Sequence, residues 1–183
     1  GYGDPVYVNA YYPIPFDPPH VPYENPVGIY EREFTMPAGW NGKSIYINFD
    51  GVDTLFYVWI NGKMAGMSQG AHLPSEFDIS EFVAPGANTV TVLVTKYAWS
   101  SYLEDQDFYR LSGIFRDVYL LARDTSHVRD IFVRQDIAPD YGTAALHIEL
   151  DFTGKRKKAV IRLYDGGNRL LSETDVSVKG DKA

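Results

Sequence analysis

The sequence contains no cysteine in its 183 residues, and it contains no long apolar run. The absence of cysteine excludes disulfide bonds and zinc sites with cysteine ligands, and it fits a reducing compartment. No run approaches the ~18 apolar residues that a membrane-spanning helix needs, so we expect no membrane contact. The four histidines are scattered, without the spacing that is typical of a zinc site.

Basic residues are also few. The chain has 17 Lys and Arg against 24 Asp and Glu, which gives a net charge of −7 at pH 7. An acidic surface repels phosphate backbones, and we therefore expect no nucleic-acid partner. Aromatic residues, in contrast, make up 15% of the chain, a share that suits a β-rich fold or a surface that faces sugar.

Helical periodicity is nearly absent, whereas two-residue alternation of apolar and polar side chains recurs and predicts strands with one buried face. Asn61-Gly62 supplies the two positive-φ positions of a type I′ hairpin turn. The proline-dense residues 12–28 predict an ordered wrapping loop. Short strands punctuated by Gly, Pro and Asn predict an all-β sandwich or jelly roll. The alternating segments are 44–52, 54–68, 89–95, 145–152 and 159–172.

A change of pattern near residues 123–127 predicts two domains, 1–123 and 124–183. The first ends with the strand-like run 118–122, and the second restarts with a new alternation and a more charged surface. An immunoglobulin-like sandwich needs ~100 residues. We therefore expect the second domain to be truncated and the chain to be a fragment of a longer polypeptide.

Several motifs in order give the chain a family resemblance. Residues 101–118, "SYLEDQDFYRLSGIFRDV", place three carboxylates among four aromatic rings and add two arginines. Together with "FDGVDTLFYVWINGKMAG" and "LPSEFDISEFVAPGANTVTVLV", this stretch resembles the sugar-binding domain of glycoside hydrolase family 2. The narrower motifs "YVNAYYPI", "ENPVG" and "YLEDQDFYRLSGIFRD" resemble the large bacterial β-galactosidases of that family. The likeness is strong over residues 1–122 and weaker to residue 183.

The resemblance implies a galactose-binding-like jelly-roll sandwich followed by a partial immunoglobulin-like β-sandwich. It also implies that the parent protein is a retaining β-galactosidase, which hydrolyses terminal β-D-galactosides in a TIM barrel outside this chain. This chain would form one wall of the galactose pocket. We expect it to be inactive alone, because the nucleophile and the general acid lie in the barrel. The parent is expected to be cytoplasmic and homo-oligomeric.

The resemblance assigns two substrate-binding residues and no catalytic residue. Asp107 would contact galactosyl hydroxyls and hold a sodium ion, which ligands from the barrel would complete. A carboxylate suits both roles, because it accepts hydrogen bonds and is a hard oxygen ligand. Asn9 matches the family's substrate-contacting asparagine, and an amide can both donate to and accept from a hydroxyl. Mg²⁺ is implied for the barrel, outside this chain.

Glu104 and Asp105 form a carboxylate pair, which a retaining glycosidase could use as acid and nucleophile. We expect them instead to pair with Arg110 or Arg116, or to bind backbone amides. The chain shows no alternation of strands and helices from which a catalytic barrel could be built.

Trp59 and Trp99 could stack on sugar rings, but packing in the core or between domains is the preferred interpretation.

We expect a turn at Ser112-Gly113, where glycine allows a backbone conformation that other residues resist. Residues 155–158 form a basic run, which we interpret as a solvated hairpin end.

Three alternative functions remain open at this point. The first is a free-standing carbohydrate-binding module, which would bind sugar measurably by itself. The second is a purely structural sandwich that mediates domain packing or oligomerisation. The third is a β-glucuronidase-like enzyme of the same family, although the Glu-Asp-Gln-Asp run disfavours that specificity.

Overall fold

The chain divides into two compact units, Gly1–Ala122 and Arg123–Ala183. Both consist of strands and turns, with short 3₁₀ helices at Ala38–Trp40 and Trp99–Tyr102. In the part of the chain that is described, no helix has the length and apolar character to cross a membrane. The computed structural model describes residues 6–8, 11–104, 107–155 and 158–177. The predicted all-β class is confirmed.

The strands of the first unit form two main sheets and two short ribbons. The strands are β1 (Val6–Val8), β2 (Val27–Met36), β3 (Ser44–Phe49), β4 (Val52–Asp53), β5 (Leu55–Ile60), β6 (Lys63–Ser68), β7 (Ser75–Asp78), β8 (Gly86–Thr95), β9 (Phe108–Arg110), β10 (Gly113–Ile114) and β11 (Val118–Arg123). The four-stranded sheet has the order β2–β8–β5–β6, and the three-stranded sheet has the order β11–β3–β7; the ribbons are β1–β9 and β4–β10.

Alternation along the strands places the core of this unit between its two main sheets. On β5, Phe56, Val58 and Ile60 are fully buried, while the residues between them are only half-buried. The same pattern on β8 extends this buried face within the sheet, and β3 supplies the facing side chains from the other sheet. The buried apolar cluster consists of Ile45, Ile47, Phe49, Val52, Phe56, Val58, Ile60, Ile79, Val92 and Val94. The predicted sandwich is therefore confirmed for the first unit.

The turn between β5 and β6 is fixed by its first residue. Asn61 and Gly62 have φ angles of 51° and 76°, as a type I′ turn requires, so the predicted turn is confirmed. The Asn61 amide donates to the carbonyl of Phe82 at 2.9 Å and to Oδ1 of Asn88 at 2.8 Å. Its own Oδ1 accepts from the Thr89 amide at 2.9 Å. The hairpin is thus tied to the start of β8.

The proline-rich loop is ordered against one buried tyrosine. Oη of Tyr102 lies 2.7 Å from the carbonyl oxygen of His20 and 3.0 Å from that of Pro15. The rings of Tyr12 and Phe16 pack against the Tyr102 ring, with centroids 5.4 Å and 5.7 Å away. The predicted wrapping loop is confirmed, and it holds the 3₁₀ helix that begins the acidic-aromatic segment 101–118.

The second unit consists of two antiparallel strand pairs, β12–β13 and β14–β15. Leu150 and Phe152 are its buried apolar side chains among the described residues. Oδ1 of Asp165 accepts from two backbone amides in the β14–β15 turn and so closes this hairpin. The strands are β12 (His127–Ile137), β13 (Ala144–Thr153), β14 (Lys158–Tyr164) and β15 (Leu170–Ser177).

Gly113 meets two separate requirements for glycine. Its φ of 85° lies in the left-handed region, and a Cβ atom there would overlap Oη of Tyr30. We expect Gly113→Ala to lower the free energy of unfolding by about 1–3 kcal/mol for the backbone conformation alone. Adding Tyr30→Phe removes the overlapping hydroxyl, so it should recover only the part of the stability loss that comes from steric overlap. Urea denaturation measures both effects.

Gly39→Ala is the matched control, because no atom lies within 4 Å of a Cβ placed at Gly39 and its φ is outside the left-handed region. A loss of stability at Gly39 as large as that at Gly113 would contradict the explanation.

Candidate functional site

The acidic-aromatic segment leaves the sandwich and pairs with the first strand of the chain. In the β1–β9 ribbon, Tyr7 is opposite Tyr109 and Val6 is opposite Arg110. Asp107 lies directly before β9. Residues about a hundred positions apart therefore meet at one place on the surface of the first unit.

Asp107 is exposed, and its carboxylate is oriented by a tyrosine. Oη of Tyr7 donates to Oδ1 of Asp107 at 2.6 Å. The Tyr7 ring also packs against Tyr109, with the ring centroids 5.3 Å apart, and both rings are more than half exposed. A carboxylate that accepts one hydrogen bond keeps further lone pairs for other donors or a cation. The geometry thus offers an oriented, solvent-facing carboxylate beside aromatic surface.

Two residues singled out from the sequence, Asn9 and Asp105, lie outside the described residues. The structure therefore gives no position for the proposed sugar contact of Asn9. Their neighbours Tyr7 and Glu104 are described, and both contact the segment around Asp107.

Glu104 binds a backbone amide, one of the two roles expected for it. Its Oε1 accepts from the amide of Ala71 at 3.0 Å. The Glu104 carbonyl in turn lies 3.3 Å from Nη2 of Arg110. The segment that leads to Asp107 is thereby joined both to the loop after β6 and to β9. This contact gives the Glu104 carboxylate a structural role, as expected from the sequence.

A buried carboxyl group lies behind this surface. Asp53 is 2% exposed and accepts a hydrogen bond from Oγ1 of Thr54. Burial raises the pKa of Asp53 above its usual value, because desolvation disfavours the charged form. The Thr54 hydrogen bond and the charges of Arg110 and His72 act in the opposite direction, and the charge of Glu104 adds to the rise.

Arg116 supports the adjoining loops through backbone groups. Its Nη1 donates to the carbonyl of Asp50 at 3.3 Å and to that of His72 at 3.2 Å. Its guanidinium also lies over the Phe115 ring, 5.1 Å from the centroid. A Cβ at Gly51 would come within 2.9 Å of Cδ of Arg116. Arg116 thus stabilises the surroundings of the site and makes no contact that suggests a ligand.

Neither tryptophan lies in the core, and the alternative expectation, that they pack between domains, stays a prediction. Trp59 alternates with Val58 and Ile60, so it lies on the outer face of β5, half-buried beside Tyr57. Trp99 is 48% exposed. Trp59 and Tyr57 are two positions apart, as are Val58 and Ile60, so strand periodicity places each pair on one face.

Sequence reasoning missed three residues of this region: Tyr7, Asp53 and Arg110. The sequence indicates Arg110 only as a partner for acids, whereas the structure buries it to 4% exposure. Asp53 stands between the buried Val52 and a buried threonine. A charged residue inside an apolar strand pattern was the available signal for Asp53, whereas nothing local marked Tyr7.

The described residues contain no group of three or more His, Cys, Asp or Glu that could hold a metal ion. Asp107 by itself supplies a single exposed carboxylate, which is a hard oxygen ligand. A single carboxylate can serve a hard cation only as one ligand among several.

Comparison with known sequences gives consistent matches. Residues 1–124 match the family model described as "Glycosyl hydrolases family 2, sugar binding domain". The chain is 46% identical to a β-galactosidase of Staphylococcus xylosus over 165 residues, which cover 90% of this chain and 17% of that protein. It is 47% identical to a β-galactosidase of Yersinia pestis over 150 residues, covering 81% of this chain and 14% of that protein.

Comparison with solved structures supports the same fold. A β-glucuronidase of Bacteroides uniformis superimposes with a TM-score of 0.73 at 25% identity, over 87% of this chain and 21% of that one. A β-glucuronidase of Ruminococcus gnavus gives a TM-score of 0.67 at 29% identity, over 81% of this chain and 28% of that one. The chain thus spans less than a third of the length of these relatives.

The raised pKa of Asp53 predicts a specific pH dependence of stability. The folded state binds the Asp53 proton more tightly than the unfolded state, whose pKa is near 3.8. The stabilisation from this proton is fully present below that value and is lost as pH rises through the folded-state pKa. The free energy of unfolding of the wild type, minus that of Asp53→Asn, should therefore fall with rising pH and then level off.

Urea denaturation over a pH series, within the range where both proteins fold, measures this difference. A difference that stays constant, or that increases with pH, would show that burial does not dominate the Asp53 environment.

Proposed function

The chain belongs to glycosyl hydrolase family 2 through its sugar-binding domain, and we propose that it is the sugar-binding part of a retaining β-galactosidase. In this proposal the longer protein hydrolyses terminal β-D-galactosides. Its catalytic TIM barrel lies outside this chain, and this chain forms one wall of the galactose pocket. The second unit is the beginning of an immunoglobulin-like sandwich.

The exposed, oriented carboxylate of Asp107 carries the proposal. It stands at the surface of the first unit, where a neighbouring domain or a ligand can reach it, and Tyr7 holds it at 2.6 Å. The curated β-galactosidases support the substrate class, because their identity of 46–47% extends over 81–90% of the chain.

Asp107 would act on the sugar rather than on the reacting bond. Its carboxylate accepts hydrogen bonds from galactosyl hydroxyls and so orients the ring. Asn9 would add an amide that both donates and accepts. A sodium ion bound by Asp107, with ligands from the barrel, would neutralise the carboxylate and offer a further contact to sugar oxygen.

We propose that the chain supplies no acid and nucleophile pair of its own. Glu104 is bound to the Ala71 amide, and Asp53 is buried. A retaining mechanism needs two carboxyl groups about 5–5.5 Å apart on either side of the glycosidic bond. We therefore propose that both come from the barrel, together with the Mg²⁺ ligands, and that the chain alone is inactive.

The related β-glucuronidases favour a second candidate, hydrolysis of glucuronides. Their structures share the fold with TM-scores of 0.67–0.73, but their identity to this chain is only 25–29%. A glucuronide carries a negative charge, which the exposed carboxylate of Asp107 would repel at short range. A neutral galactoside meets no such repulsion, so the galactoside remains the better substrate for this surface.

A free-standing carbohydrate-binding module is the other candidate. Its aromatic platform would have to bind sugar without a barrel, and calorimetry of the chain with galactose tests this directly. We propose weak binding only, because half a pocket leaves most of the sugar in water.

We also propose a homo-oligomeric, cytoplasmic parent, which light scattering and cell fractionation would test.

Replacement of Asp107 tests the proposed sugar contact in the longer protein. We expect Asp107→Asn to raise KM for a nitrophenyl β-galactoside about ten- to a hundredfold, because a hydrogen bond to a charged group is lost. The variant should also lose much of any stimulation by sodium. Steady-state kinetics with sodium and with potassium as the cation measures both.

Asp175→Asn is the matched control, since it removes the same charge from an exposed position on β15. If Asp107→Asn and Asp175→Asn have equal kinetics, Asp107 makes no sugar contact. If the wild-type protein prefers glucuronides, the substrate assignment fails while the sugar-binding role survives.

A further inference from the structure

Arg110 is a buried arginine at the end of β9, only three residues after Asp107. It is 4% exposed, although arginine side chains are mostly exposed in folded proteins. A buried cation is costly unless nearby groups compensate its charge. The groups around Arg110 therefore indicate what its burial achieves.

Two of those groups belong to the segment that leads to Asp107. Nη2 of Arg110 lies 3.5 Å from the carbonyl oxygen of Ser101 and 3.3 Å from that of Glu104. These carbonyls stand near the two ends of the turn that follows the 3₁₀ helix, where the amide of Glu104 donates to the carbonyl of Ser100. One guanidinium thus reaches both ends of this turn.

The same turn is tied to a second loop through Glu104. Its side chain accepts from the amide of Ala71, which is 1% exposed and therefore fixed within the fold. The buried Asp53 is near enough for its carboxyl to interact electrostatically with both Arg110 and Glu104. Arg110 thus bonds the turn before Asp107 and also interacts with the buried Asp53.

We propose that Arg110 is a positioning residue for Asp107, acting with Glu104 as its partner in the same turn. The Arg110 guanidinium holds the 101–104 turn in place. The position of this turn then determines where Asp107 lies relative to Tyr7 at the surface. This inference rests on the proposed sugar contact of Asp107. A planar guanidinium suits the role better than an ammonium, because it presents several donors in a fixed arrangement.

Hydrogen exchange of the full chain tests the positioning role without depending on enzyme activity. In Arg110→Met, we expect amides in residues 99–104 to exchange at least roughly tenfold faster, as a charge-assisted hydrogen bond no longer opposes local opening. Amides of β5 and β8 should keep their wild-type rates. Arg32→Met, which removes an exposed arginine from β2, is the matched control and should change neither region.

Unchanged exchange in residues 99–104 would overturn the proposal, as would an equal increase in β5 and β8, which would indicate general destabilisation. If Arg110→Met does not fold, Arg110→Lys takes its place, because it keeps the charge and loses the fixed arrangement of donors, and it should speed exchange of the same amides to a smaller extent. Glu104→Ala tests the partner role of Glu104, because it cuts the bond to Ala71 and leaves Arg110 in place. Glu104→Gln keeps an acceptor oxygen and should exchange like the wild type.

Kinetics of the longer protein then link position to function. Arg110→Met should raise KM for the galactoside roughly tenfold with a much smaller change in kcat, and Arg110→Lys should recover part of the loss. A fall in kcat alone, with KM unchanged, would refute the link to the sugar contact. Because exchange reports the turn directly, its result stands even if the substrate assignment proves wrong.

Discussion

The packing of Phe49 against Phe56 joins the two sheets of the first unit, and the positions of the other elements depend on it. The ring centroids are 5.0 Å apart, and Phe77 meets both rings edge-on at 6.1 Å and 5.9 Å. These side chains belong to β3, β5 and β7, so they fix the separation of the sheets. The strand β4, which carries Asp53, leads directly into β5, and its placement follows from the same contact.

Polar groups near this core have two different roles, one structural and one open to a ligand. Buried ones, such as Asp53 and Arg110, hold backbone segments in place and face carbonyls, hydroxyls or each other. Their desolvation is unfavourable, as the raised pKa of Asp53 shows, and the surrounding dipoles and charges offset part of it. Asp107, in contrast, remains in solvent with Tyr7 as its donor. The charge available to a ligand is thus separate from the charges that support it.

Much of the scaffold was predictable because it follows from local pattern. The alternation of apolar and polar residues in β3, β5 and β8 predicts their buried faces, and the Asn61-Gly62 pair predicts the turn between β5 and β6. The side of Trp59 was not resolved in advance, since its strand carries large apolar residues on both faces. The candidate site was predictable only in part: the acidic-aromatic motif marked Asp107, but its contact with Tyr7 spans 100 positions and depends on the β1–β9 pairing. The burial of Arg110 likewise depends on tertiary neighbours that no local pattern contains.

The bonding of Asn61 has a consequence for the chemical durability of the protein. An asparagine that precedes glycine is prone to deamidation, in which the next backbone nitrogen attacks the side-chain carbonyl carbon and ammonia leaves. Here the side-chain nitrogen is held by Phe82 and Asn88, and its oxygen is held by the Thr89 amide. Rotation of the amide toward Gly62 would break all three bonds. The β5–β6 hairpin is therefore shielded from a slow covalent ageing reaction by the same contacts that set its shape.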